Sequence, residues 1–314
     1  MKIIFFGTSA FALPSLEAIS RSAHTLVSVV TQPDKRGGRT HRQLLSSVKQ
    51  WALENKVHLL QPPDLSGSSF RETLKAFRPD LFVVVSYGKI LPPALLALPP
   101  LGGVNVHPSL LPKYRGASPI SWAILNGDPK TGLTVIRLSE EVDAGEILLQ
   151  KEVALGEEDA LQLSERLSRL GGELLSESLD RIAKGKAVFI PQKDKATDAP
   201  KFKKEDGAID WKKSAKILSR EIRAFVPWPG SYSYLGGKRI LIWKAKGIEG
   251  NTGGRPGEVV GFSEGGEIIM ATGKGKLLIE ALQLEGKEKM PSRSFLIGHR
   301  LRIGETFACN PRNS

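Results

Sequence analysis

Gly103-Val104-Asn105-Val106-His107-Pro108-Ser109-Leu110-Leu111-Pro112-Lys113-Tyr114-Arg115-Gly116-Ala117 begins as a Val-rich strand and ends as a loop set by prolines and a glycine. Asn105 and His107 stand two apart, so on a strand both side chains leave the same face. They lie at its carboxyl end, where open α/β sheets bind their ligands. An amide and an imidazole are costly to bury there unless each finds a partner. On its own an Asn-x-His pair is an ordinary strand end, and Asp143 before Ala144-Gly145 is an ordinary turn carboxylate. Two features of context change that reading. Pro108, Pro112 and Gly116 fix an extended loop that exposes backbone groups, and the chain returns through Leu133 to Leu138 to Glu140-Glu141-Val142-Asp143-Ala144-Gly145, from which Asp143 can reach His107.

Outward from this stretch, short β-rich runs alternate with helical ones from Met1 to about Leu155, the pattern of a parallel sheet covered by helices. Strands are expected at Lys2 to Phe6, Leu26 to Thr31, Asp80 to Ser86, Gly103 to His107, Leu133 to Leu138 and Glu146 to Val153. Helices are expected at Leu13 to Ser22, Leu44 to Asn55 and Pro119 to Asn126. Leu163, Leu167, Leu170, Leu174 and Leu175 give Leu161 to Lys184 the apolar period of a long amphipathic helix. Composition then shifts, and residues 190–206 read as a linker without apolar period. Beyond it a helix over Ser214 to Phe225 precedes short strands (Arg239 to Trp243, Gly257 to Val260, Glu267 to Ala271, Leu277 to Leu284) separated by Gly-rich turns. That spacing suggests a small β-barrel of the OB kind. The expected fold is therefore α/β: a Rossmann-like parallel-sheet catalytic domain over 1–189, the linker, and an OB-like domain over 207–314.

With 314 residues, 40% of them hydrophobic and 25% charged, the chain has the balance of a folded, water-soluble protein. No apolar run approaches the ~18 residues that span a bilayer, and Gly7-Thr8-Ser9 interrupts the opening Ile3-Ile4-Phe5-Phe6 before it could serve as a signal sequence. Cys309 is the one cysteine, which fits a reducing, cytoplasmic setting. The net charge of +12 is unevenly placed: residues 1–200 carry 24 Lys and Arg against 21 Asp and Glu, and residues 201–314 carry 21 against 12. An excess of +9 in the C-terminal third suits a polyanionic partner, although a solvated basic surface has the same composition.

The first turn, Gly7-Thr8-Ser9-Ala10-Phe11, lacks the further glycines of a dinucleotide fingerprint, and no Walker sequence is present. Asn105, His107 and Asp143 suit direct acyl transfer, in which an amine attacks a formyl carbon and charge collects on its oxygen. The Asn105 amide and a protonated His107 would stabilise the oxyanion, while Asp143 orients His107 and, with a water, shuttles the amine proton. Neither a covalent nucleophile nor a metal is required, and no Cys/His ligand spacing occurs.

Five motifs carry a wider resemblance: Ile3-Ile4-Phe5-Phe6-Gly7-Thr8, Thr31-Gln32-Pro33-Asp34, Val85-Ser86-Tyr87-Gly88-Lys89-Ile90-Leu91-Pro92, the Asn105 to Ala117 stretch, and Val142-Asp143-Ala144-Gly145-Glu146-Ile147. Through them the chain resembles the folate-dependent formyltransferases over nearly its full length. The resemblance implies that Asn105, His107 and Asp143 are the catalytic trio. It also implies that 10-formyltetrahydrofolate is the co-substrate, bound along Ser109, Leu110, Leu111 and Pro112, with Tyr87, Gly88, Ile90 and Leu91 lining a pterin pocket. Within that family the basic C-terminal third is similar to that of members acting on charged initiator tRNA. The loop Asp34-Lys35-Arg36-Gly37-Gly38-Arg39-Thr40-His41-Arg42 offers Arg36, Arg39 and Arg42 to an acceptor stem, and Lys203 and Lys204 suit its duplex backbone. An amino-sugar nucleotide as acceptor, and a non-enzymatic RNA-binding protein, are the competing readings. A monomer is expected.

Overall fold

The computed structural model describes residues 1–37 and 42–308. The chain forms two compact units, the first comprising 1–119, 130–154 and 164–200, the second 120–129, 155–163 and 201–308 of the described residues.

The first unit is built on one sheet of seven strands: β1 (Lys2–Gly7), β2 (Thr25–Val30), β3 (Leu59–Leu60), β4 (Leu81–Val85), β5 (Gly103–His107), β6 (Lys130–Arg137) and β7 (Ile147–Ala154), ordered β7-β6-β5-β4-β1-β2-β3. From β5 to β3 every neighbouring pair is parallel. Pairing begins at β1, moves outward to β2 and β3, then crosses back to β4 on the other side of β1, which makes β1/β4 a topological switch point. β6 and β7 run antiparallel to their neighbours. Alternation of strand and helix does not encode direction. His107 pairs with Thr134 and Val104 with Arg137, so β6 enters the sheet at the end where β5 leaves it. A strand completely covered on both faces reads as a continuous apolar run, and all five residues of β4 and five of the six in β1 are buried.

Helices α1 (Leu13–Ser20), α2 (Ser47–Glu54), α3 (Ser68–Ala76), α4 (Pro119–Asn126) and α5 (Ala160–Ala183) follow in chain order, of which α4 from Ile120 onward and the first turn of α5 are counted with the second unit. Ser46 caps α2 by accepting from the Lys49 amide at 3.1 Å. In α5 Leu163, Leu167, Leu174 and Leu175 are buried as expected, and Leu170 is half-buried. Gly172 lets α5 come down on the start of α1, since a Cβ there would stand 2.7 Å from the Pro14 carbonyl oxygen. α3 and β3 have no counterpart in the sequence reading: α3 buries only Leu74, and β3 is two residues long, so neither carries a usable period. The apolar layer around β1 and β4 includes an edge-to-face contact of Phe6 with Phe82 at 5.1 Å and of Phe6 with Tyr87 at 5.5 Å.

The stretch read as a linker is part of this unit as far as Pro200. Asp198 and Ala199 pair in parallel with Arg115 and Gly116. Its sequence lacks an apolar period because it is held by hydrogen bonds, which composition does not display.

The second unit contains α6 (Ala215–Ala224), capped by Ser214, and the antiparallel strands β8 (Ser231–Leu235), β9 (Lys238–Ile248), β10 (Val259–Phe262), β11 (Ile268–Ala271) and β12 (Lys276–Leu284), ordered β8-β9-β12-β11-β10, with Met290–Pro291 beside β12 and α7 (Ser292–Gly298) after it. Both outer edges of this sheet bond the same terminal segment. Tyr234 and Ala308 exchange amide-to-carbonyl bonds at 3.0 and 2.8 Å, while the Phe307 amide donates to Gly257 and the Val259 amide to Glu305. Shared pairing of this kind leaves neither edge open along that length, as in a closed sheet. Inside lie Trp211, Leu218, Ile222, Phe295 and Phe307, and the Trp211 indole N–H is satisfied by Ser233 Oγ at 3.0 Å.

Tyr87 tests this description of the core. Burial pushes its hydroxyl up to about 12, and that hydroxyl has no hydrogen-bond partner among the described residues. Tyr87→Phe keeps the ring contacts and removes an unpaired buried polar group. Urea unfolding of the variant is expected to show a stability gain of about 1 kcal/mol; a loss of that size would mean that the hydroxyl is satisfied in solution.

Candidate active site

The centre of the site is a carboxylate. Asp143 sits in the turn between β6 and β7 with its side chain 11% exposed. Its Oδ1 accepts from Asn105 Nδ2 at 3.1 Å and its Oδ2 from the Gly116 amide at 2.9 Å. The same Oδ2 faces His107 Nδ1 at 3.4 Å. The three residues singled out from the sequence therefore meet, Asn105 and His107 from one face of β5 and Asp143 from the turn.

The two nitrogens of His107 are both directed at acceptors. Nε2 lies 2.9 Å from the Tyr114 carbonyl oxygen, which can only accept, so this nitrogen carries the proton. Burial lowers the pKa of the ring, opposed by the Asp143 charge and by the Tyr114 carbonyl. In the neutral ring Nδ1 holds a lone pair, and 3.4 Å is a long separation from Oδ2. That gap is a place where one more proton would be bound from both sides.

The backbone around the trio adopts conformations that ordinary side chains avoid. Ser86, Tyr114 and Asp143 have φ of 48°, 64° and 52°, each costing of order 1–3 kcal/mol and kept only where neighbours enforce it. The enforcement is visible at Tyr114, whose amide donates to Thr197 Oγ1 at 2.9 Å, while the Arg115 amide donates to the Thr197 carbonyl at 2.8 Å. At Asp143 the following Gly145 lies so close to β6 that a Cβ would fall 1.8 Å from the Arg137 carbonyl oxygen.

The loop after β5 is pegged to the sheet. Ser109 is fully buried; its hydroxyl donates to the Lys113 carbonyl at 2.6 Å, and its own carbonyl accepts from Thr134 Oγ1 at 2.6 Å. Gln150 Nε2 donates to the Leu111 carbonyl at 3.0 Å, and Leu111 and Pro112 are buried. Leu110 is half-buried. At the end of β4, Ser86 Oγ bonds Ser9 Oγ at 2.7 Å, and the Tyr87 carbonyl accepts from Thr8 Oγ1 and Gln32 Nε2. Tyr87 itself is 1% exposed with its ring in the core, and Leu91 is buried, so neither presents its side chain at the surface. Gly88 is exposed and Ile90 is 67% exposed. Lys49 and Gln61 bond the Asp34 carboxyl at 2.5 and 2.9 Å and hold it below the usual carboxylate range.

Two sequence-family patterns match the chain: "Formyl transferase" over residues 1–179 and "Formyl transferase, C-terminal domain" over residues 201–300. The chain belongs to the formyl transferase family. Among its relatives, the methionyl-tRNA formyltransferase of Citrifermentans bemidjiense is 42% identical over 97% of this chain and 95% of its own length. That of Caldanaerobacter subterraneus subsp. tengcongensis is 43% identical over 97% of this chain and 99% of its own. Solved structures share the fold. HypX from Aquifex aeolicus with tetrahydrofolic acid matches 94% of this chain and 47% of its own with a TM-score of 0.64 at 21% identity. The sugar 3N-formyltransferase WlaRD matches 92% and 99% with a TM-score of 0.62 at 19% identity.

The basic residues of this formyl transferase are less fully placed. Lys35–Gly37 and Arg42–Leu44 pair as a short antiparallel hairpin, which places the backbones of Arg36 and Arg42, and Arg39 lies outside the described residues. Lys203 and Lys204 are exposed in the second unit. Missed altogether were Gln192 and Thr197, which bond the Asp143 turn and the Tyr114 loop. Pro191 and Pro200 bracket that stretch, and two fixed φ angles in a polar run were the one hint of a held conformation.

A pH test follows from His107. The unfolded chain binds a proton at this residue below about pH 6.5, whereas the fold resists it because the pKa is lowered by burial. Stability contributed by the neutral ring is complete above that pH and is lost as pH falls towards the lowered folded value. Wild-type unfolding free energy, followed by urea titration from pH 7 downward, is expected to decline below about pH 6.5, with a shallower decline in His107→Gln. Identical slopes would show that the ring is not held neutral by the fold.

Proposed function

We propose that this chain transfers the formyl group of 10-formyltetrahydrofolate to the amino group of methionyl-tRNA, the charged initiator tRNA, acting as a monomer in the cytoplasm. The observation that carries the catalytic part is the convergence of Asn105, His107 and the Gly116 amide on one carboxylate. The names borne by relatives at 42 and 43% identity over almost the whole chain support the acceptor.

Asn105 uses one amide hydrogen on Asp143, leaving its second for the oxygen on which charge develops as the amine attacks the formyl carbon. The attacking α-amine has a pKa near ~7.7–8.0 and must shed a proton before the product amide is stable. The Asp143–His107 pair takes up that proton: the gap between Oδ2 and Nδ1 binds it from both sides, and the positive ring then held beside the oxyanion stabilises it. When the tetrahedral intermediate collapses, the bond from the formyl carbon to N10 of the folate breaks and the proton held by the pair passes to N10, so that tetrahydrofolate leaves neutral and the pair is returned to its starting state.

The folate supplies the activated formyl group when bound. Ile90, in the loop after β4, and Val142, next to Asp143 in the chain, are 67% and 45% exposed, the kind of surface that a flat heterocycle covers. Ser109, Leu110, Leu111 and Pro112 would hold it chiefly through backbone groups, and Gly88 and Ile90 from the other strand end. For the tRNA, the support is the +9 charge of residues 201–314 and the exposed Lys201, Lys203 and Lys204.

The test is transfer of labelled formyl from 10-formyltetrahydrofolate to charged initiator tRNA, beside uncharged tRNA and an amino-sugar nucleotide, at low and high salt. Label on the charged tRNA alone is expected, with affinity falling steeply as salt rises. His107→Ala is expected to cut turnover by ~10²–10⁴-fold while tRNA binding stays at the wild-type level. Label on the sugar alone would overturn the acceptor, and undiminished turnover in His107→Ala would overturn the mechanism.

A further inference from the structure

The side-chain amide of Gln192 touches the catalytic cluster without being part of it. Its Nε2 donates to the Asp143 carbonyl and to the Gly145 carbonyl, both at 2.8 Å. Its Oε1 accepts from Arg115 Nε at 3.2 Å and Arg115 Nη2 at 2.8 Å. A primary amide offers two hydrogens and two lone pairs, and all four are used here. Orientation is fixed as well: carbonyl oxygens only accept and a guanidinium only donates, so the amide cannot be turned over without losing every bond.

The two halves of this network belong to the two loops that make the site. On one side is the turn in which Asp143 holds a φ of 52°. On the other is the loop whose Tyr114 carbonyl receives His107 Nε2 and whose Gly116 amide binds Asp143 Oδ2. Gln192 is itself anchored, since Ile190 and Ile147 exchange backbone bonds at 2.8 Å on one flank and Thr197 bonds the Tyr114 loop on the other. Arg115 Nη1 also meets Glu141, but that carboxylate is 77% exposed, so the pair contributes little.

We propose that Gln192 is a positioning residue for formyl transfer, joining the Asp143 turn to the Arg115 loop so that the carboxylate meets Asn105 and His107 at once. The inference rests on the formyl-transfer reading given above. Gln192 touches no reacting atom. Its effect is exerted on Asp143, and it should therefore alter the chemical step while leaving substrate capture in place.

Two variants test it. Gln192→Ala removes both halves of the link. Gln192→Glu keeps the volume and the bond to Arg115 but has no hydrogens for the Asp143 and Gly145 carbonyls, and it serves where the alanine variant does not fold. In steady-state transfer to charged tRNA, kcat should fall ~10- to 100-fold, as for a misplacement of about 1 Å. KM for folate and for tRNA should each stay within about threefold. Because Asp143 opposes the effect of burial on His107, loosening it should also move the acid limb of the kcat profile to lower pH. Wild-type kcat with an unmoved acid limb in both variants overturns the proposal, as does a loss confined to KM. A wild-type enzyme that delivers formyl to no amine overturns the underlying reading instead, so the two failures are separable.

Discussion

A carboxylate withdrawn from water is tolerable only where donors or positive charge replace its hydration, and the first unit is arranged around that requirement at Asp143. One oxygen takes the Asn105 amide; the other takes the Gly116 amide and faces His107. Satisfying them obliges β5 to deliver two polar side chains from one face, the following loop to turn a peptide N–H inward, and the β6–β7 turn to adopt a left-handed backbone at the aspartate. None of these is favourable alone. They hold because each removes a larger cost elsewhere.

The same economy explains the buried polar loop after β5. Ser109, Thr134 and Gln150 satisfy the backbone of a segment that cannot pair in the sheet. A loop supported in this way keeps its peptide groups aligned, which is what a site relying on backbone donors needs.

Much of this was legible in the sequence. Alternation in Gly103 to His107 located the strand and the shared face, and the Asp143 turn followed from the next strand. The large helix was readable from its leucines. Strand direction was not, because β6 and β7 carry the same apolar signature whichever way they run. Where the Tyr87 ring goes was not legible either, since an aromatic before a glycine looks the same whether its ring turns inward or outward; it turns inward onto Phe6. Gln192 and Thr197 were invisible for a different reason. Their contribution is a set of directed bonds to residues 49 and 83 positions away, and nothing in a polar run announces its partner.

The pairing of Asp198–Ala199 with Arg115–Gly116 bears on where the first unit ends. The N-terminal family pattern stops at residue 179, within α5, yet the bonds from Thr197 and Ala199 to the loop of Tyr114 to Ser118 lie beyond it. A fragment cut at that point would retain every residue of the trio and its whole sheet while losing the strip that keeps Tyr114 left-handed. The N-terminal family pattern marks residues 1–179; the strip that holds the Tyr114 loop lies past it, in the segment of the first unit that ends at Pro200.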